Sequence, residues 1–317
     1  MLRINILVLV SALLLPIAAN AQATAETRKL AAEVPIADMH MHLTKDLTPD
    51  KMRTQMDANK VKWGGAVGGV APGQDVSVYA KALGDRYIPA GGQQELFRIY
   101  REKGPDGTTD TKNPIFRRLA DSADMQFKSG LLRGFGELFA NNRRSHPDPT
   151  FRRKIATDSP TFKELYSIAA RHGGFVQIHM EGDDDSLAQL DNLIASAGPV
   201  TIILSHCMVT ASRAAVRKLL ERYPSVYCEL SARGAPVLGE KHPLAGAIRI
   251  YDSNGIQGEW LKFIEAMPDR FMIGSDAIHE SYDDIIQSYR TNFLPYLKPD
   301  TMQKVAYENA QRVFKLK

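Results

Sequence analysis

From residue 34 to the C-terminus the chain alternates between two patterns. Short apolar runs rich in Val, Ile, Phe and Gly are each followed by a stretch with helical periodicity. Strands are predicted over 34–42, 62–70, 85–90, 131–137, 174–180, 200–206, 225–232 and 270–276. The clearest helices are predicted over 160–172, 185–197, 210–223, 257–267 and 299–315. Their ends carry start and stop signals: Asp158-Ser159-Pro160 opens the first, and Gly198, Pro224 and Pro268 follow the next three. Strands that alternate with helices must run parallel, because each helix carries the chain back across the sheet. About eight such units imply a closed (β/α)8 barrel, with an open doubly wound sheet as the second choice. A Gly-x-Gly-x-x-Gly after the first strand would favour the open sheet, but a histidine pair stands there instead. Gly65 to Gly73 is glycine-rich but lacks the Lys-Ser/Thr of a phosphate loop and reads as strand and turn. The polar segment Gly104 to Asn113 reads as an excursion from the pattern.

Residues 1–21 form a separate unit. Met1-Leu2-Arg3 is a positive start, Ile4 to Ala19 is almost wholly apolar, and Ala19-Asn20-Ala21 is a small-x-small cleavage site. This is the pattern of a secretory signal peptide, with an apolar core shorter than the roughly 20 residues of a membrane span. A soluble, exported, periplasmic protein is expected, cleaved near Ala21 and without a membrane partner. The remaining 317 − 21 = 296 residues are expected to form one large α/β domain. The formal charge of +4 loses one unit with Arg3, and so mild an excess argues against nucleic acid as a partner. Oligomeric state is left open. Export permits a disulfide between Cys207 and Cys228, but two small buried apolar residues is the preferred reading.

The candidate chemistry sits at strand ends. Asp38-Met39-His40-Met41-His42 closes the first predicted strand. Side chains two apart on a strand share a face, so His40, His42 and Asp38 are expected to project together. Glu137, His179, His206 and Asp276 close four further strands. In a barrel the C-terminal ends of all strands meet on one face, where active sites of this architecture lie. Imidazoles with carboxylates suit zinc first and permit manganese, iron or nickel. Cys207 should point away by alternation. Six ligands exceed the need of one ion, so either two ions share a carboxylate or Glu137 stands behind a single ion. Divalent metal acidifies water. Asp276 is the expected proton carrier as well as a ligand. Asp38 is a candidate acceptor that orients an imidazole N–H.

These residues resemble the amidohydrolase superfamily, in particular its amidohydrolase-related metal-dependent hydrolases with a TIM-barrel fold. The matching pieces are Asp38–His42, Gly134-Phe135-Gly136-Glu137, Ile178-His179, Ser205-His206, Gly274-Ser275-Asp276 and the tail Glu308–Phe314. The resemblance implies that His40, His42 and Asp276 bind one metal and that His179 and His206 bind a second. The fourth-strand position is often a carboxylated Lys in the family. Here it is Glu137, as in the subgroup that bridges with Glu. Some decarboxylases of the same branch use one metal and lack that bridge.

Substrate is expected among the loops above the strands. Arg133 and Arg233 are candidates for holding a carboxylate or phosphate, and His279 for lining the mouth. Arg143, Arg144, Arg152 and Arg153 read as solvated surface, and His172 as structural. Tyr227, Glu229 and Ser231 share one strand face; if it faces inward, Ser231 lies at the site with Glu229 below it. The leading function is a metal-dependent hydrolase of a small-molecule amide, ester, lactone or phosphoester. The alternatives are a metal-dependent non-oxidative decarboxylase and a non-catalytic exported binding protein on the same barrel.

Overall fold

The computed structural model describes residues 22–70, 74–144, 149, 152–234, 248–276 and 281–317. The predicted signal peptide and His279 lie outside them. Parallel pairing runs through β1 (Ile36–Asp38), β2 (Val61–Gly65) and β3 (Tyr87–Ile88) in one sheet. A second sheet orders β4 (Ala90–Gly92), β5 (Gly134–Phe139), β6 (Phe175–His179), β7 (Thr201–Leu204) and β8 (Val226–Glu229). A short hairpin, β9 (Tyr251–Asp252) with β10 (Gly255–Ile256), precedes β11 (Phe271–Met272), which pairs with β8. β3 and β4 flank Pro89, whose missing N–H interrupts what the sequence reads as one strand.

The two outer edges meet. Met39 N–H donates to the Ile273 carbonyl at 2.9 Å, and Asp276 N–H donates to the His40 carbonyl at 2.8 Å. The eight strand stations therefore form a (β/α)8 barrel. Its interior is a layer with one residue from most stations: Ala37, Trp63, Ile88, Ala90, Phe175, Ile203, Tyr227 and Met272. Phe314 and Leu316 of the C-terminal tail join that cluster. Ile178, Leu204 and Cys228, on the opposite face of their strands, pack in the larger cluster with Phe162, Leu190 and Leu220 of the flanking helices.

The later helices fall close to prediction, at Pro160–His172, Asp184–Ser196, Arg213–Arg222 and Gly258–Ala266. The excursion from Gly104 to Asn113 is corrected. A helix runs over Gln93–Thr109, with Gly104 at φ 67° breaking its backbone, and a further helix covers Pro114–Ser129. Gly104-Pro105 looks like a terminator in sequence, but here the pair kinks the chain and helix resumes.

The cysteine reading is also corrected: Cys207 and Cys228 form a disulfide, with Cα atoms 4.5 Å apart. Leu204 is in register with Cys228 across β7 and β8. The chain turns sharply after Leu204, with His206, Cys207 and Met208 all at positive φ. That turn carries Cys207 back over the neighbouring strand, a proximity that 21 residues of sequence separation conceal.

Candidate metal centre

Glu137 lies at the middle of the cluster and is buried. Its two oxygens face different histidines. Oε1 is 2.8 Å from His179 Nδ1 and 3.3 Å from His206 Nε2. Oε2 is 3.3 Å from His40 Nε2 and 3.6 Å from His42 Nε2. Asp276 Oδ1 stands against the second pair, at 3.4 Å from His40 Nε2 and 3.3 Å from His42 Nε2. His40 and His42 approach to 3.1 Å at Nε2. All six predicted ligand residues are thus brought together from five strand stations.

These spacings suit cation ligands. Two donors bound at about 2.1 Å to one tetrahedral ion stand roughly 3.4 Å apart. Most of the N···O separations are longer than the usual N–H···O hydrogen bond of about 2.9 Å and fall near that ligand spacing. His40, Glu137 and His206 form one compact group of potential ligands; His40, His42 and Asp276 form another.

Two histidines are oriented from behind. Glu229 Oε1 is 2.8 Å from His40 Nδ1, which leaves His40 Nε2 facing the cluster. Ser231 Oγ is 2.8 Å from His206 Nδ1, leaving His206 Nε2 toward Glu137. Glu229 also accepts from the backbone N–H of His206 at 2.7 Å and of Ser231 at 2.8 Å. The Gln177 amide nitrogen lies 3.1 Å from His40 Nδ1. Gln177 was not among the expected residues, although it shares a strand face with His179, two residues on. Glu229 was expected below Ser231, not in contact with both histidines.

The electrostatics call for a cation. Burial disfavours charge on Glu137, Glu229, Asp276 and His40, yet the three carboxylates stay ionised. Burial pushes Glu137 up, but His40 and His179 hold it well below the usual carboxylate range. Asp276 is likewise raised by burial and more than offset by His40 and His206, ending at about 2. Burial pulls His40 down, and Glu137, Glu229 and Asp276 outweigh it, holding that imidazole well above its ordinary value. Three carboxylates around one buried imidazole require positive charge, from a proton or from a metal ion.

Backbone strain marks two of the strand ends. His206 at φ 53° and Asp276 at φ 50° are both left-handed, a conformation that costs a non-glycine residue on the order of 1 kcal/mol. At Gly274 an added Cβ would stand 2.2 Å from Glu229 Oε2 and 2.7 Å from His40 Cβ. Only glycine lets Glu229 reach His40 past that strand.

Three expectations are corrected. Asp38 does not orient an imidazole. Its Oδ1 accepts the backbone N–H groups of His40 at 3.1 Å and Ser275 at 2.8 Å. β1 ends at Asp38, so strand alternation does not carry on to His40. Arg133 precedes β5 and joins the opposite end of the barrel, its N–H donating to Pro89 O and its carbonyl accepting from Phe175. The four residues from Arg133 to Glu137 span about 13 Å of strand. Arg233 lies near the centre but is 1% exposed. Its guanidinium donates to the His206 carbonyl at 2.9 Å and stacks 4.8 Å from the Trp260 ring. It braces the His206 turn from behind, and burial lowers its pKa to about 9. Arg143 pairs with Asp183 at 2.9 Å on the rim.

Comparison with known proteins accords with this fold. No curated protein sequence matches the chain. Among solved structures, a probable 2-pyrone-4,6-dicarboxylic acid hydrolase from Acinetobacter baumannii superposes with TM-score 0.57 at 14% identity, covering 88% of this chain and 99% of that one. The phosphotriesterase homology protein from Escherichia coli, with phosphate in its active site, gives 0.52 at 12% identity over 90% and 99%. A dihydroxybenzoic acid decarboxylase from Polaromonas sp. JS666, with bound manganese, gives 0.50 at 13% identity over 89% and 97%. At such identities the likeness is one of fold. The family model described as Amidohydrolase matches residues 113–316. That stretch contains Glu137, His179, His206 and Asp276, while His40 and His42 precede it. With well over half of its length matched by that family model, the chain belongs to the amidohydrolase family.

Proposed function

We propose that this protein is a metal-dependent hydrolase that directs a water at an amide, ester, lactone or phosphoester bond of a small molecule. In this reading His40, His42, Glu137, His179, His206 and Asp276 hold one or two divalent ions, zinc foremost. The observation that carries it is the division of four imidazoles between the two oxygens of Glu137. A carboxylate so placed can serve two ions at once.

A bound divalent ion would bring the pKa of a water from about 15.7 toward about 7 and polarise a carbonyl or phosphoryl oxygen. The chain's own residues supply the rest. Glu229 and Ser231 fix the rings of His40 and His206 so that each presents Nε2 to the centre. Asp276, with a quarter of its side chain exposed, is the most open carboxylate of the group. It can take the proton of the attacking water at Oδ1 or Oδ2 and pass it to the leaving atom. Hydrolysis is favoured over decarboxylation because Glu137 stands between two pairs of histidines, one at each oxygen, where a carboxylate can bridge two ions. Export with cleavage near Ala21 belongs to the same reading, and the Cys207–Cys228 disulfide suits an oxidising compartment.

Elemental analysis of the purified protein tests the centre: one or two equivalents of a divalent metal are expected, and none would sink it. Asp276→Asn should retain much of that metal yet lose turnover on a panel of lactones, N-acyl amino acids, dipeptides and aryl phosphoesters. Release of carbon dioxide from hydroxybenzoates, with no turnover on the panel, would make decarboxylation the reaction instead.

A further inference from the structure

A recess of about 340 Å3 opens at the other end of the barrel. One wall is the helix Ala25–Glu33, which contributes Arg28. Another is the turn leading into β2, which contributes Ala58 and Lys60. Arg290 and Pro295 complete it from the C-terminal region. Lys60 immediately precedes β2, and its carbonyl accepts from Ile36, the first residue of β1. The recess therefore lies below the strands, on the order of 15 Å of barrel height from the histidine cluster.

Its charge is out of balance. Arg290 is 6% exposed, and its guanidinium donates to the carbonyls of Ala31, Val34 and Asn59 at 2.7, 3.0 and 2.8 Å. No carboxylate among the described residues pairs with it. Arg28 is exposed and has no side-chain partner among the described residues. Lys60 pairs with Glu33 at 2.8 Å. Three cations thus share one carboxylate, itself 67% exposed. A buried cation held by carbonyl dipoles, with one exposed carboxylate divided among three cations, keeps much of its charge uncompensated, and the neighbouring Arg28 offers a free planar fork of donors. Between these cations, Ala58 and Pro295 line the recess with carbon.

We propose that this recess is a second ligand site, separate from the metal centre, which takes a small organic carboxylate. The acid group meets Arg28 in bidentate fashion within the field of Arg290, and the carbon body rests on Ala58 and Pro295. The volume falls at the lower end of the usual range for small-molecule pockets.

Benzoate is a suitable probe, titrated calorimetrically into the full-length protein and three variants, with circular dichroism confirming that each is folded. Saturable binding of one benzoate per chain is expected. Arg28→Glu should weaken it about tenfold or more, the loss expected for a charge-assisted pair. Ala58→Phe, which fills the wall without changing charge, should abolish it. His42→Ala should leave it intact. Inorganic phosphate, which has no carbon body, should bind at least about tenfold more weakly. Unchanged affinity in Arg28→Glu, or loss in His42→Ala instead, would overturn the site. Phosphate binding as tight as benzoate would overturn the carboxylate assignment. Because these readouts need neither metal nor turnover, they stand or fall apart from the proposed hydrolase activity.

Discussion

Glu229 ties three parts of the centre together. Fully buried, it receives the ring N–H of His40, the backbone N–H of His206, and both the N–H and hydroxyl of Ser231. Burial raises its pKa, but the charge and hydrogen bond of His40 more than offset that, so it stays ionised. Glu229→Gln removes the charge and one acceptor. Metal affinity is expected to fall by about 10–100-fold, as for other residues that orient a ligand from behind, read by titration in a metal-buffered solution. Unchanged affinity would show that His40 needs no such support. A second residue-scale prediction concerns Asp183, which caps the helix Asp184–Ser196. Burial pushes its carboxyl up, but hydrogen bonds from Ser186 and the Arg143 pair hold it below its ordinary value. A depressed folded pKa means that its contribution is present above the unfolded value of about 3.9 and fades as pH falls through the folded one. Asp183→Ala should therefore cost about 1 kcal/mol at pH 7, with the gap to wild type closing below about pH 4. Urea unfolding at several pH values measures it; a gap that widens on acidification contradicts the sign.

At the scale of elements, the disulfide and Arg233 hold one short turn. β7 ends at Leu204, and the next residues turn through three positive φ values before Arg213–Arg222 begins. Cys207 is anchored to β8, while Arg233 pins the His206 carbonyl. Together they keep a left-handed histidine aimed at Glu137. Replacing both cysteines with alanine should destabilise the fold by about 3 kcal/mol, the loop-closure value for a crosslink of this span. It should also weaken metal binding, because the turn that presents His206 is released. Wild type under reductant should match the variant in chemical unfolding. An unfolding midpoint insensitive to reductant would show that the crosslink does not stabilise the chain.

At the scale of the whole molecule, five of the eight strand stations bring the candidate ligand side chains from positions 40 to 276 to one rim, while the recess with Arg28, Lys60 and Arg290 occupies the other end. The proposed export is tested directly by expressing the full chain in a bacterium and weighing the periplasmic product. A mass starting near Gln22 is expected; an intact N-terminus retained in the cytoplasm would refute it.

The barrel was legible in the chain because parallel strands buried on both faces must be apolar and the helices between them amphipathic, so the pattern repeats station by station. Residues that close apolar runs in the sequence, such as Glu137, His179 and His206, were legible for the same reason: a polar group closing an apolar run has few places to go but the rim. Contacts that depend on which strands are neighbours were not. Cys207 meets Cys228, Glu229 reaches His40 past Gly274, and Arg233 turns to His206 only because closure sets β7, β8, β11 and β1 side by side. Nor does sequence spacing reveal that Arg133 is at the bottom of its strand or that Asp38 folds over the end of its own. Sequence periodicity reports which face a residue takes along its own element. The distance between two elements is decided by how the whole sheet closes, and only the tertiary structure carries that information.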